Sequence, residues 1–136
     1  MLSPILSVHD IDASIDFYVK ILGFTHGWSM PGDDGKTGFA SVKLGDAEIL
    51  LGTIDFVSPE DRDRLGAGIQ LYLEVPGELN IDTLYNGAVN GGANITRPIE
   101  DRDWGDRAFN VKDLDGYHLM LAQRPPAAET GASAPV

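Results

Sequence analysis

The sequence resembles itself at a fixed distance. Sliding Gly105–Leu121 back by 70 residues, with no gap, lays it on Gly35–Leu51. Phe39 then meets Phe109, Leu44 meets Leu114, Ile49 meets Leu119, Leu50 meets Met120 and Leu51 meets Leu121. A chain of 136 residues is long enough for one real core and too short for two ordinary domains. The repeat therefore predicts two similar units within one domain. Each copy of the stretch reads as two strands around a turn, at Gly45-Asp46 in the first and at Asp113-Leu114-Asp115-Gly116 in the second. Side chains alternate along strands, so Phe109, Val111, Leu119 and Leu121 share one face. Asn110, His118 and Met120 share the other.

Upstream, the two halves keep the same order. Residues 4–8 (PILSV) predict a strand. Ile11, Ile15, Val19 and Leu22 have helical spacing behind Asp10 as N-cap, and Gly23 ends the helix. Phe24–Met30 predicts a second strand before the loop Pro31–Gly35. In the second half, Ile69, Leu71, Leu73 and Val75 alternate with Gln70, Tyr72 and Glu74, giving a strand with one core face and one polar or ligand-facing side. A helix is expected over residues 79–90 and a strand over Ile95–Ile99, followed by the long hairpin. The prediction is an α+β fold: two βαβββ repeats, residues 1–57 and 68–123, forming a curved, mostly antiparallel sheet with helices on its outer face. Together they make a single domain over residues 1–123. Residues 124–136 carry few large apolar groups and are expected to form a disordered tail.

Composition narrows the function. A net charge of −11 disfavours nucleic acid and favours cationic ligands, or serves solubility alone. The chain has no Cys, hence no disulfide, thiolate nucleophile or Cys-based zinc site. No apolar run approaches the roughly 20 residues of a membrane span, and no signal-peptide pattern opens the sequence, so a cytoplasmic protein is expected. A Gly-x-Ser-x-Gly elbow and a Gly-rich phosphate loop are both missing, which argues against the corresponding hydrolase and nucleotide chemistries.

Two groups of residues carry a resemblance. One is Val8-His9-Asp10-Ile11-Asp12-Ala13-Ser14-Ile15-Asp16-Phe17-Tyr18 with Leu22-Gly23-Phe24. The other is Trp104-Gly105-Asp106-Arg107-Ala108-Phe109 with Asp113-Leu114-Asp115-Gly116. With the duplication, the chain resembles the vicinal oxygen chelate superfamily over residues 1–123. That superfamily holds glyoxalase I, extradiol dioxygenases, fosfomycin-resistance enzymes and bleomycin-resistance proteins. The resemblance implies metal ligands at four matching points, which fall here on Ser3, Leu50, Gln70 and Met120. Only Gln70 is a credible donor, because Leu and Met offer no hard oxygen and neutral Ser is a poor ligand. A resident catalytic metal, or any other cofactor, is therefore not expected. Two inward residues, Glu48 and His118, correspond under the offset. They read either as part of a displaced metal or acid–base site or as polar residues at a strand rim.

The leading expectation is a bleomycin-resistance-like protein that sequesters a small planar or cationic molecule without metal. Its ligand-binding residues would be Trp104, Trp28, Gln70, Tyr72, Glu74, Asn110 and Met120. The alternative is a glyoxalase- or dioxygenase-type enzyme whose shifted metal site uses Glu48, Gln70 and His118. Arg102 and Arg107 flank Trp104 and read as holders of a ligand anion or as solvated ion pairs. His9, ahead of a helix N-terminus, is expected to be structural. A homodimer is expected, since exposed sheet edges need covering.

Overall fold

The structure is a computed structural model and describes residues 1–125. From residue 126 on, the expected tail lies outside the described residues. The first repeat runs β1 (Ile5–Val8), α1 (Ile11–Asp16), β2 (Thr25–Pro31), β3 (Thr37–Leu44) and β4 (Ala47–Thr53). The second runs β5 (Gln70–Glu74), α2 (Ile81–Asn90), β6 (Asn94–Asp101), β7 (Arg107–Lys112) and β8 (His118–Gln123). The eight strands form two four-stranded sheets of the same order, β1-β4-β3-β2 and β5-β8-β7-β6. In each sheet the first strand runs parallel to the last, and every other pair is antiparallel. The fold is the expected α+β duplication, with each sheet drawn wholly from one repeat.

Helix α1 packs on β3 and β4, and α2 packs on β6, β7 and β8. One apolar cluster joins both repeats: Val8, Tyr18, Val42, Ile49 and Leu51 with Leu73, Phe109, Val111, Leu119 and Leu121. The helical layers also meet. A Cβ on Gly23 would stand 2.6 Å from Leu84, and one on Gly91 3.0 Å from Ile21. Asp10 caps α1 by accepting the Ala13 N–H at 3.0 Å, as expected, and Asn80 caps α2 in the same way through Thr83.

The helix spacing needs a correction. Helix α1 widens into one π turn, Phe17–Ile21, in which the Leu22 N–H reaches the Phe17 carbonyl at 3.1 Å. The extra residue turns both Phe17 and Tyr18 inward. The buried face is Ile11, Ser14, Phe17, Tyr18 and Leu22, while Ile15 and Val19 are only half-buried.

The 70-residue offset needs a second correction. It holds for β4 and β8, but Ser41 stands opposite Leu50 whereas Asn110 stands opposite Met120, so β3 and β7 correspond at 69 residues. One residue of slip reverses every side chain. Phe39 therefore lies on the open face against Trp28, with ring centroids 5.3 Å apart, while Phe109 is fully buried. Leu44 is a buried strand residue, whereas Leu114 is 59% exposed in the turn.

The longer second turn clasps the first repeat. Asp113 accepts the Tyr18 hydroxyl at 2.6 Å and the N–H groups of Asp115 and Tyr117 at 2.9 Å. The Tyr117 hydroxyl donates to the Ser7 carbonyl at 2.9 Å. Asp115 takes the backbone N–H of His9 at 3.0 Å and pairs with its Nδ1 at 2.7 Å, which gives His9 its structural role. Burial lifts the Asp113 carboxyl above its usual range against these hydrogen bonds, and burial beside Asp113 holds the Tyr18 hydroxyl well above the usual 10.0.

Candidate ligand-binding face

Opposite the helices, each sheet presents an open face. Strand register arranges that of the second sheet in rows. Tyr72, Met120, Asn110 and Arg97 form one row; Gln70, His118, Lys112 and Asn94 form the next. Glu74 lies beyond the first row, opposite Ala122. Gln70, Tyr72 and Glu74 are exposed, and Asn110 and Met120 are half-buried. The hairpin face matches expectation, since Phe109, Val111, Leu119 and Leu121 all point to the core. In β5 Leu73 is buried and Leu71 half-buried, and Val75 just after it is buried, but Ile69 lies before the strand and is 55% exposed, a correction to the expected core face.

The loop Arg102–Asp106 borders this face. It is closed by the Arg102 N–H on the Asp106 carbonyl at 2.7 Å and the Gly105 N–H on the Arg102 carbonyl at 3.0 Å. Gly105 adopts φ +102°, which suits a residue without Cβ. Trp104 stands at the loop tip, 56% exposed. The Arg102 guanidinium lies 5.8 Å from the centre of the indole, a cation–π distance. Its side chain is only 1% exposed. Arg102 Nη2 donates to the Asn110 side-chain oxygen at 2.8 Å and to the Ala108 carbonyl at 3.1 Å. Among the described residues, Arg102 Nε is the buried side-chain nitrogen without a hydrogen-bond partner; the Glu100 carboxylate stands 3.6 Å away. Burial lowers the Arg102 pKa from its usual value.

Asp106, also buried, accepts the Tyr72 hydroxyl at 2.7 Å, and Arg124 Nε stands 3.4 Å from its other oxygen. Desolvation, then the Asp106 hydrogen bond, pushes the Tyr72 hydroxyl up to about 12. The sequence marks Trp104 and Arg102 as candidates and does not reveal that Arg102 and Asp106 are buried. Arg102 reads there as an anion holder or a solvated ion-pair partner; it is instead a buried post under the indole and the Asn110 amide. Arg107 matches the ion-pair reading, held by Asp82 at 2.8 Å and Asp101 at 3.1 Å.

Trp28 belongs to the other sheet. It is in the row Ile5, Leu50, Ser41 and Trp28, packed on Phe39. Beside that row a groove of about 380 Å³ opens between Ile5, Phe39, Gly52 and Phe56.

The metal positions do not fit a divalent ion. Leu50 and Met120 occupy the middle of their strands with no hard donor, and Ser3 precedes β1. Of the displaced set, Gln70 and His118 are register partners, but Lys112 flanks His118 on its other side. Glu48 lies on the first sheet and takes the Ser41 hydroxyl at 2.6 Å. Among the described residues, no three His, Asp or Glu side chains are grouped closely enough to hold a metal ion.

The family model described as Glyoxalase/Bleomycin resistance protein/Dioxygenase superfamily matches residues 2–121. The chain belongs to this superfamily. A superfamily structure from Sphaerobacter thermophilus superposes with a TM-score of 0.66 at 28% identity, covering 90% of this chain and 94% of its own. An uncharacterized protein of Mycobacterium bovis is 33% identical over 129 residues, 90% of this chain and 82% of that protein. The same fold is found in TioX from Micromonospora sp. ML1, with a TM-score of 0.72 at 22% identity over 100% of this chain and 99% of that one. TnmS3, an antibiotic binding protein from Streptomyces sp. CB03234, gives 0.66 at 23% identity over 90% and 93%. No helix among the described residues is long and apolar enough to cross a membrane.

Proposed function

We propose that this protein binds a small, planar organic molecule, neutral or cationic, on the open face of the second sheet and makes or breaks no bond in it. The observation that carries the reading is Trp104: a half-exposed indole held over a buried cation at the edge of the row Tyr72, Met120 and Asn110. Trp104, Tyr72 and Met120 offer stacking and apolar contact, and Asn110, Gln70 and Glu74 offer fixed polar groups around them. The superfamily supports it, and so does the fold shared with TnmS3, an antibiotic binding protein. The net charge of −11 and the exposed Glu74 favour positive ligands. Trp28 and Phe39 add an aromatic wall on the first sheet. The exposed Ile5 and Phe56 are apolar surface that a second copy would cover, which fits a homodimer.

Titration of Trp fluorescence with proflavine, a planar cation, tests the reading. Saturable quenching is expected, weakened about three- to tenfold by Trp104→Leu. Absence of any change would overturn it. Metal analysis of protein purified without chelator is the second arm. About one tightly held transition metal per chain would favour the alternative, a glyoxalase- or dioxygenase-type enzyme built on Glu48, Gln70 and His118.

A further inference from the structure

We infer that the loop Arg102–Asp106 sets the hydrogen-bond polarity of the face, holding Asn110 as a donor and Tyr72 as an acceptor towards the ligand. The ligand class is then narrower than "planar": it carries an acceptor such as a ring carbonyl and a donor such as a ring N–H. This deepens the proposed binding function and rests on it.

The argument starts from what each buried charge can do. A guanidinium has N–H donors and no acceptor, so the Asn110 amide has to turn its oxygen to Arg102 at 2.8 Å. Its two N–H donors are left for the open face, in the row with Met120 and Tyr72. An ionised carboxylate only accepts, so Tyr72 spends its single proton on Asp106 at 2.7 Å. The lone pairs of its oxygen remain. Raised to about 12, the hydroxyl stays protonated at any ordinary pH.

Reversing either residue would leave a buried charge facing a group of the wrong kind. Arg102 is 6% exposed and Asp106 is 3% exposed, so water cannot step in cheaply. The polarity therefore exists before any ligand arrives, and a ligand of the opposite pattern loses its hydrogen bonds and strands polar groups besides. One short loop supplies both charges, of opposite sign, and the indole that stacks.

The test uses neutral tricycles of one size. Acridone carries a carbonyl and a ring N–H; xanthone keeps the carbonyl and replaces N–H by an ether oxygen; anthracene has neither acceptor nor N–H. Acridone is expected to bind the full chain about three- to tenfold more tightly than either, by Trp quenching. Tyr72→Phe should abolish its advantage over xanthone and leave xanthone itself unchanged. Asn110→Asp, which replaces the donors by an acceptor, should weaken acridone and xanthone alike but spare anthracene. Arg102→Met frees the amide to turn and should act like Asn110→Asp; if it does not fold, Asn110→Asp carries the test alone. Equal binding of the three compounds, with proflavine still bound, would overturn the polarity and leave the binding function standing. Failure of all four compounds would overturn both.

Discussion

The two repeats share a strand order, and the sharpest differences between their sheets are one turn and one loop. In the first repeat, Leu44 pairs with Ala47 across a tight Gly45-Asp46 turn, and the open face carries Trp28, Phe39 and the Ser41–Glu48 hydrogen bond. In the second, the turn between Lys112 and His118 is longer and folds back on the first repeat through Asp113, Asp115 and Tyr117. The loop before β7 buries Arg102 and Asp106, which hold Asn110 and Tyr72. With the strand order shared, the unequal loops give the second repeat the clasp and the buried pair Arg102 and Asp106, while the first carries the Trp28–Phe39 contact.

The sharpest way to break this comparison is the pair Phe39 and Phe109. Phe109→Ala empties a fully buried site and should cost about 3–5 kcal/mol in urea unfolding. Phe39→Ala, losing an open-face contact with Trp28, should cost about 1 kcal/mol. Equal losses would mean that the two strands correspond at 70 residues after all. Next in size is the clasp. Asp113→Ala orphans the Tyr18 hydroxyl and two backbone N–H groups and should remove about 2–4 kcal/mol. Asp46→Ala in the short turn should stay within about 0.5 kcal/mol on the same assay.

The pH dependence of the clasp follows from Tyr18. Its hydroxyl is held neutral in the fold far above the usual 10.0, at which the unfolded chain ionises. The contribution is therefore complete below pH 10.0 and is lost as pH rises through the folded value. Between pH 10.0 and the folded value stability should fall by about 1.4 kcal/mol per pH unit from this residue, a slope that Tyr18→Phe removes in denaturant titrations at stepped pH. His9→Ala is also a small change. The ring is 59% exposed, so loss of its pair with Asp115 should cost under about 1 kcal/mol and shrink further in high salt.

Much of this was legible in the residues. Alternation placed Gln70, Tyr72 and Glu74 outward and Leu71, Leu73 and Val75 inward, because a half-buried strand writes its two faces directly into the sequence; it fails at Ile69, which precedes the strand and is exposed. The turn at Gly116, with φ +103°, was equally plain. The register slip was hidden because Phe39 and Leu44 imitate Phe109 and Leu114 while playing opposite parts, and turn length alone decides between them. Arg102 was hidden for another reason. A charged residue among many acids reads as solvated, and its burial depends on a loop closed by backbone hydrogen bonds. The Tyr18–Asp113 bond joins residues far apart in the chain, which no local pattern reveals.

The π turn at Phe17–Ile21 has a consequence for how such a chain tolerates change in length. A helix that swallows one surplus residue in a single wide turn keeps both of its ends in place. The cap at Asp10 and the exit at Gly23 stay anchored while the side chains between them are re-dealt. Each repeat thus carries its own expansion joint, the first in its helix and the second in its hairpin. Deleting Phe17 should straighten that joint and move Tyr18 into its place, unfastening the clasp from the opposite side.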